Sequence, residues 1–346
     1  MLTHNGLPDG PFAIQQSISA LSQFSLSLSK GQVIEIPTEG LEQALHGKYP
    51  NEGAPNDLMQ DWCIDGVWYS KLQQAWVAGA PNSKLYDEGE SSTLLNYNAE
   101  QNQWKCFRNP WRKSVGHCYS STAIDPDDGI LYKAFFSASA DCLRFDLNNN
   151  TVLPRLKGPQ RNISQTSSSW DKVHGITWFP ELGKKGSLVH VNSAYGRVSR
   201  WDKASQRWWS IAEKLNIKAA EPLAHYQPNS QKVVIGSNGK NRLYLLDKTG
   251  KVTPTDKAPC KFYPANCFVA DPASSLSLVF ADNKRVYPLD TNTGEWLKSF
   301  ALPALLKKQS RIILDTAAFS IAEHNVIMFE HYLSNGRSKV FLYRHS

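Results

Sequence analysis

The chain has 346 residues, 41% of them hydrophobic, with six cysteines and a formal net charge of +7. That is enough apolar material for a large core, yet no run approaches the roughly 18 apolar residues that a membrane-spanning helix needs. The opening Met1-Leu2-Thr3-His4-Asn5-Gly6 has neither the basic region nor the apolar core of a secretory signal, so classical export is not expected. Without export, and with no CxxC or Cys/His metal spacing, Cys63, Cys106, Cys118, Cys142, Cys260 and Cys267 read as reduced, mostly buried thiols.

In chain order, residues 1–30 are Ser- and Gln-rich and form an arm; residues 31–346 form the main domain. Ile14 through Leu28 suits a short helix or strand over that domain, or an arm that orders against a neighbour. Gln32-Val33-Ile34-Glu35-Ile36-Pro37 alternates like a strand but has no partner nearby. The insert at 38–60, with Gly40, Gly47, Pro50, Gly53 and Pro55, reads as a long loop.

From there one pattern recurs: an apolar or aromatic residue, Asp or Asn, five residues, then Trp. It runs Asn98 to Trp104, Asp202 to Trp208 and Asp290 to Trp296, with weaker copies at Asp146 to Val152 and Asp247 to Thr253. Successive starts lie 48, 56, 45 and 43 residues apart, room for four short strands and their turns. The stretch before each acid alternates, as in Arg242-Leu243-Tyr244-Leu245-Leu246-Asp247, and the acid with its polar followers suits a hairpin. The tryptophan then opens the outer strand, where it packs between blades. Upstream, an apolar run breaks at a proline turn (Pro126, Pro180, Pro228, Pro272) between the two inner strands.

Six copies result: roughly 61–110, 111–158, 170–214, 220–258, 264–302 and 312–346. The sixth ends at Lys339-Val340-Phe341-Leu342-Tyr343-Arg344, before an outer strand. The expected fold is therefore all-β, a single six-bladed β-propeller of four-stranded antiparallel blades, its last blade completed by the strand at 32–37. Residues 1–60 leave room for a degenerate seventh blade.

Charge is unevenly spread. Residues 155–214 carry eleven Lys or Arg against four acids, and residues 35–101 carry eleven acids against three bases. Solvated loops account for such a split, as does a molecule whose acidic and basic sectors meet copies of itself or a partner. The basic sector's candidates are Arg155, Lys157, Arg161, Lys172, Lys184 and Lys185; no nucleic-acid motif accompanies them, so nucleic acid is not the expected partner.

For catalysis the candidates are His117, His174 and His225, near the starts of inner strands that would line the channel. Their offsets from the blade prolines, nine, six and three residues, set them at different heights. No metal site or cofactor is expected. Asp61 and Asp65 are better read as a turn than as an acid–base pair. Trp62, Trp68, Tyr69, Trp76 and Tyr119 suffice for a sugar-stacking platform, or for ordinary core.

Several segments carry a family likeness: Gly116-His117-Cys118-Tyr119 through Ala123-Ile124-Asp125-Pro126, Asn241 through Asp247 with Gly250-Lys251-Val252-Thr253, and Val326-Ile327-Met328-Phe329 with Lys339 through Tyr343. On these the chain resembles the Kelch-like propellers, the superfamily of the galactose oxidase central domain, and in particular bacterial and phage-encoded versions. The Kelch double glycine is absent, with Gly236 alone at that place, and Ser120-Ser121 stands where related sequences carry Asp-His. Galactose oxidase implies copper held by tyrosines and histidines; none of those positions aligns here, so the activity is not carried over.

With the charge split and the arm, the resemblance implies a non-catalytic binding or structural propeller. Its most concrete form is a phage virion component for decoration, tail or attachment, located in the virion or cytoplasm. Its partners would be copies of itself or other virion proteins, with glycan as a further ligand. The alternatives are a carbohydrate-active or galactose-oxidase-like enzyme using the channel mouth, and a cytoplasmic adaptor.

Overall fold

The computed structural model describes residues 19–46, 66–79, 92–108, 110–111, 120–134, 140–159, 174–217, 221–237, 240–260, 267–281, 283–309, 316–332 and 338–346. After a short helix, α1 (Ala20–Leu26), comes β1 (Val33–Ile36), and the 38–60 insert holds a second helix, α2 (Leu41–His46). The first blade is β2 (Val67–Tyr69), β3 (Gln74–Gly79), β4 (Thr93–Asn98) and β5 (Gln103–Arg108). The second is β6 (Thr122–Asp125), β7 (Ile130–Ala134), β8 (Cys142–Asp146) and β9 (Thr151–Leu156). The third is β10 (Gly175–Phe179), β11 (Ser187–Asn192), β12 (Arg197–Asp202) and β13 (Arg207–Ala212). The fourth is β14 (Pro222–Gln227), β15 (Lys232–Ser237), β16 (Tyr244–Asp247) and β17 (Val252–Pro254). The fifth is β18 (Cys267–Ala270), β19 (Leu276–Ala281), β20 (Arg285–Asp290) and β21 (Phe300–Ala301). The sixth takes β22 (Thr316–Ile321), β23 (Val326–Tyr332) and β24 (Ser338–Tyr343), with β1 as its outer strand. The first strands of the six sheets adjoin one another in a closed circuit, so the sheets form a ring around a channel.

The repeated acid forms the turn between the third and fourth strands by local chemistry. Asp146, Asp202, Asp247 and Asp290 each accept, through Oδ1, the backbone N–H two residues on, at 2.9 Å; Asn98 accepts from Gln101 at 3.0 Å. These are Asx turns, which need a short acceptor side chain at the strand end. The repeated tryptophans bond beyond their own blade. The indole of Trp208 donates to the carbonyl of Lys157 at 2.7 Å, that of Trp296 to Asp256 at 3.3 Å, and that of Trp104 to Thr38 Oγ1 at 3.1 Å. In the fifth blade the tryptophan does not open the outer strand: Trp296 bridges Leu289 ahead of β21.

Apolar side chains gather at the seams between blades. Trp76, almost wholly buried, meets Phe107 and Phe145 with ring centroids 5.6 and 6.0 Å apart, joining the first blade to the second. Tyr132 stacks on Trp178 at 5.9 Å across the next seam, and Phe280 meets Phe329 edge-on at 5.0 Å between the fifth and sixth. Each such ring contributes about 1.5–3 kcal/mol by leaving water.

Closure is made by β1, antiparallel to β24 from Val33 opposite Tyr343 to Ile36 opposite Val340. Glu35 and Lys339 pair across it at 2.7 Å. Leu21 of α1 is fully buried, and Arg344 donates to the carbonyls of Ser25 and His324 at 2.8 and 3.2 Å, so the end of the arm lies against the sixth blade. Among the described residues no helix is long and apolar enough to cross a membrane.

At one seam the staple is ionic. Asp125, fully buried at the end of β6, meets Lys203 of the third blade at 2.6 Å, and Asp128 reaches the same ammonium at 2.9 Å. Burial raises the Asp125 carboxyl, and its hydrogen bond to Lys203 pulls it back. Lys203→Met strands a buried carboxyl, so it should cost about 3 kcal/mol in chemical denaturation. Adding Asp125→Asn should recover much of that loss; equal stabilities of wild type and Lys203→Met would show the pair to be inert.

Candidate functional site

The innermost strand of each blade turns its free edge to the axis, and those peptide groups need partners. Ser120, just before β6, supplies some of them. Its Oγ donates to the carbonyl of Ala224 at 2.8 Å and accepts the Ala224 N–H at 3.0 Å, while its own carbonyl accepts Ile176 N–H at 2.7 Å. One residue of the second blade's lead-in is thereby tied to the inner strands of the third and fourth. Its φ of +35° is the local cost of that crossing.

Below this crossing lies a well of about 330 Å³, walled by the inner strands of all six blades and ringed by their first turns. Trp68, Ser70, Pro126, Pro180, Pro228 and Ala322 mark the mouth; Thr122, Ala224, Phe268 and Ala318 lie toward the other end of the inner strands. The sequence places them so, because the prolines end the inner strands and each inner position is counted back from its turn. The wall is largely apolar, with Ile124, Val269 and Phe319 among its side chains.

Three wall residues, from alternate blades, carry a buried polar atom with no hydrogen-bond partner among the described residues: Thr122 Oγ1, His225 Nε2 and Ser320 Oγ. An unmatched buried donor or acceptor costs about 1–3 kcal/mol, and these three atoms have almost no accessible surface, so they lie behind the surface of the wall. Burial lowers the His225 imidazole to about 4, so at neutral pH it is an uncharged donor and acceptor. Its ring meets Phe268 edge-on at 5.3 Å.

The two described candidate histidines, His174 and His225, are not brought together. His225 lines the well, whereas His174, ahead of β10, is buried against His190 with centroids 4.9 Å apart and its Nδ1 3.4 Å from Asn192 Nδ2. Burial, with His174 beside it, holds His190 well below the usual imidazole range. His117 lies outside the described residues, as do Asp61 and Asp65.

Among the described residues the aromatic platform is also divided. Trp68 stands at the mouth, its indole donating to Glu323 at 2.6 Å, but Tyr69 and Trp76 are buried core and offer no face to a sugar. Trp62 and Tyr119 lie outside the described residues.

Nor do the four described residues of the basic sector form one patch. Arg155 and Lys157 both meet Asp141, at 3.2 and 3.5 Å, at the Ser120 end of the ring. Lys184 and Lys185 are exposed on the turn after β10, at the opposite end; Arg161 and Lys172 are outside the described residues. Thr122 and Ser320, which the sequence did not single out, and Ser120, noted there only as a departure from Asp-His, had one shared signal, their place on or just before an inner strand.

No protein-family model matches the chain, and no curated protein matches it in sequence. Among solved structures it is similar to a streptogramin B lyase, with a TM-score of 0.53 and 11% identity over 82% of this chain and 94% of that one. It is also similar to virginiamycin B lyase from Staphylococcus aureus, with a TM-score of 0.50 and 10% identity over 90% of this chain and 99% of that one. What this chain shares with them at such identity is the six-bladed β-propeller fold.

Proposed function

We propose that this chain is a binding propeller, whose well holds a small, partly apolar ligand or a projecting group of a partner. The observation that carries this is a largely apolar well walled by the inner strands of all six blades, with the polar residues Thr122, His225 and Ser320 set in its wall. Hydrophobic walls with a few placed polar groups are what small-molecule sites have in common. Resonance titration with a fragment set of single-ring compounds tests it. Shifts should cluster on the inner strands and vanish in Ala318→Phe, which puts a large ring into the wall of the well. Binding elsewhere on the molecule, or none, would sink the reading.

The setting we favour is assembly, as a phage virion component that meets copies of itself or neighbouring proteins. It is supported by the split of charge between residues 35–101 and 155–214. Within the propellers, the segments around Ala123–Pro126 and Val326–Phe329 support a Kelch-like kinship. Peptide mass spectrometry of sedimented particles against soluble material checks the setting: enrichment in particles supports it, and confinement to the soluble fraction removes it. The two similar structures are lyases by name; turnover of any substrate that was lost in His225→Ala would turn the binding reading into an enzymatic one.

A further inference from the structure

Among the described residues, the wall of the well contains no Asp, Glu, Lys or Arg. His225 adds no charge at neutral pH, because burial lowers its imidazole to about 4, and Ser70 and Thr177 bring only hydroxyls. Lys203 lies over the ring of Trp178, a wall residue, at 5.7 Å, but its ammonium is neutralised by Asp125 and Asp128. A charged group brought into such a well would lose its water and meet no counter-charge.

The polar tips of Trp68 and Tyr226, both half-buried in the wall, are taken by acids. Trp68 donates its indole N–H to Glu323 at 2.6 Å, and Glu323 accepts from Gln73 at 2.8 Å as well. The Tyr226 hydroxyl donates to the Glu181 carboxylate at 2.7 Å. Both acids stand on the first turns of their blades, outside the wall itself. What Trp68 and Tyr226 offer the well is therefore ring surface.

The apolar surface is also uneven around the ring. Blades one to four bring Trp68 and the exposed Pro126, Pro180 and Pro228 to the mouth, whereas blades five and six bring the smaller Ala270, Ser320 and Ala322. A flat ring can lie against the first arc, with proline C–H groups against its face, and enter over the second. Phe268, Val269 and Phe319 extend the apolar wall along the inner strands.

We infer that the well selects an uncharged ligand built on an aromatic ring, held by its faces rather than by hydrogen bonds, and rejects organic ions of either sign. This rests on the well being a ligand site.

Phenylacetamide, phenylacetate and phenethylamine, alike in shape and different in charge, form the test, each titrated at neutral pH into the full chain and followed by resonance shifts. The amide should shift inner-strand resonances with an affinity roughly 10-fold or more above that of either ion. Ser320→Asp sets a carboxylate in the wall and should reverse the ranking of amide and amine. Should that variant fail to fold, Ala322→Asp does the same at the exposed mouth and should bring the amine at least level with the amide. An ion that binds in the well of the wild type as tightly as the amide, or a ranking left unchanged in the folded variant, would overturn the inference and leave the binding reading standing. If none of the three enters the well in wild type, both the inference and the binding reading beneath it fall.

Discussion

Glu330→Gln should be more stable than wild type at pH 8.5 by on the order of 4 kcal/mol, and that advantage should shrink steadily as the pH is lowered toward 5. Glu330 lies on β23, fully buried, and neither carboxylate oxygen has a hydrogen-bond partner among the described residues. Burial, with the charge of Glu42 added, raises its carboxyl to about 8. The sign follows from proton counting. Between about 4.5, where an unfolded glutamate ionises, and 8, the folded chain keeps a proton that the unfolded chain has released. Stability therefore falls as pH rises through that window and levels off above it. Glutamine is neutral throughout and close in shape, so it removes the slope. Parallel stability curves for the two proteins between pH 5 and 8.5, from denaturant melts, would mean that Glu330 ionises normally.

Deleting residues 1–37 should remove about 5 kcal/mol or more and broaden or abolish the single unfolding transition. The deletion takes away Leu21, Leu28 and Ile36, each at most 4% exposed, and leaves the edge of β24 without its partner. An open edge also invites association with other chains, so light scattering should rise along with the loss of stability. A milder version keeps the arm: Ile36→Asp buries a charge at the β1–β24 seam and should lower stability by about 3 kcal/mol. Unchanged cooperative melting in both variants would show that closure by β1 contributes nothing. A loss in the deletion alone would assign the effect to α1.

What was legible in the sequence was what depends on neighbours along the chain. An acid at a strand end with a polar turn after it folds into an Asx turn wherever it stands, so the spacing of Asn98, Asp146, Asp202, Asp247 and Asp290 marks the blades. Pro126, Pro180, Pro228 and Pro272 mark the inner turns for the same reason. The first and last blades lack the proline and turn through short 3-10 segments, with Gln73 and Asn325 left-handed, a substitution invisible to a motif. The unpaired strand at 32–37 was found because a ring needs its last strand from somewhere.

The site was far less legible. His225 was read as lining the channel and lies in the wall of the well, but that His174 packs against His190 depends on where the chain turns in before β10. Ser120 and Ser121 stood out in the sequence only as the place where related propellers carry Asp-His; in the folded ring one caps strand edges and the other meets Lys133. Lys133 and Glu330 give no local sign at all, since alternation leaves it open which face of a middle strand carries a charge inward.

The pairing of β1 with β24 also sets the timing of folding. The two strands lie about 310 residues apart, and at about 5–20 residues per second the first waits roughly 15–60 seconds on the ribosome for the second. During that time five blades can stack on one another by nearest-neighbour contact, but the ring stays an open arc with an exposed strand edge at its growing end. Closure is thus a late, long-range event of high contact order, and the interval before it is when this chain is most exposed to swapping its first strand into another copy.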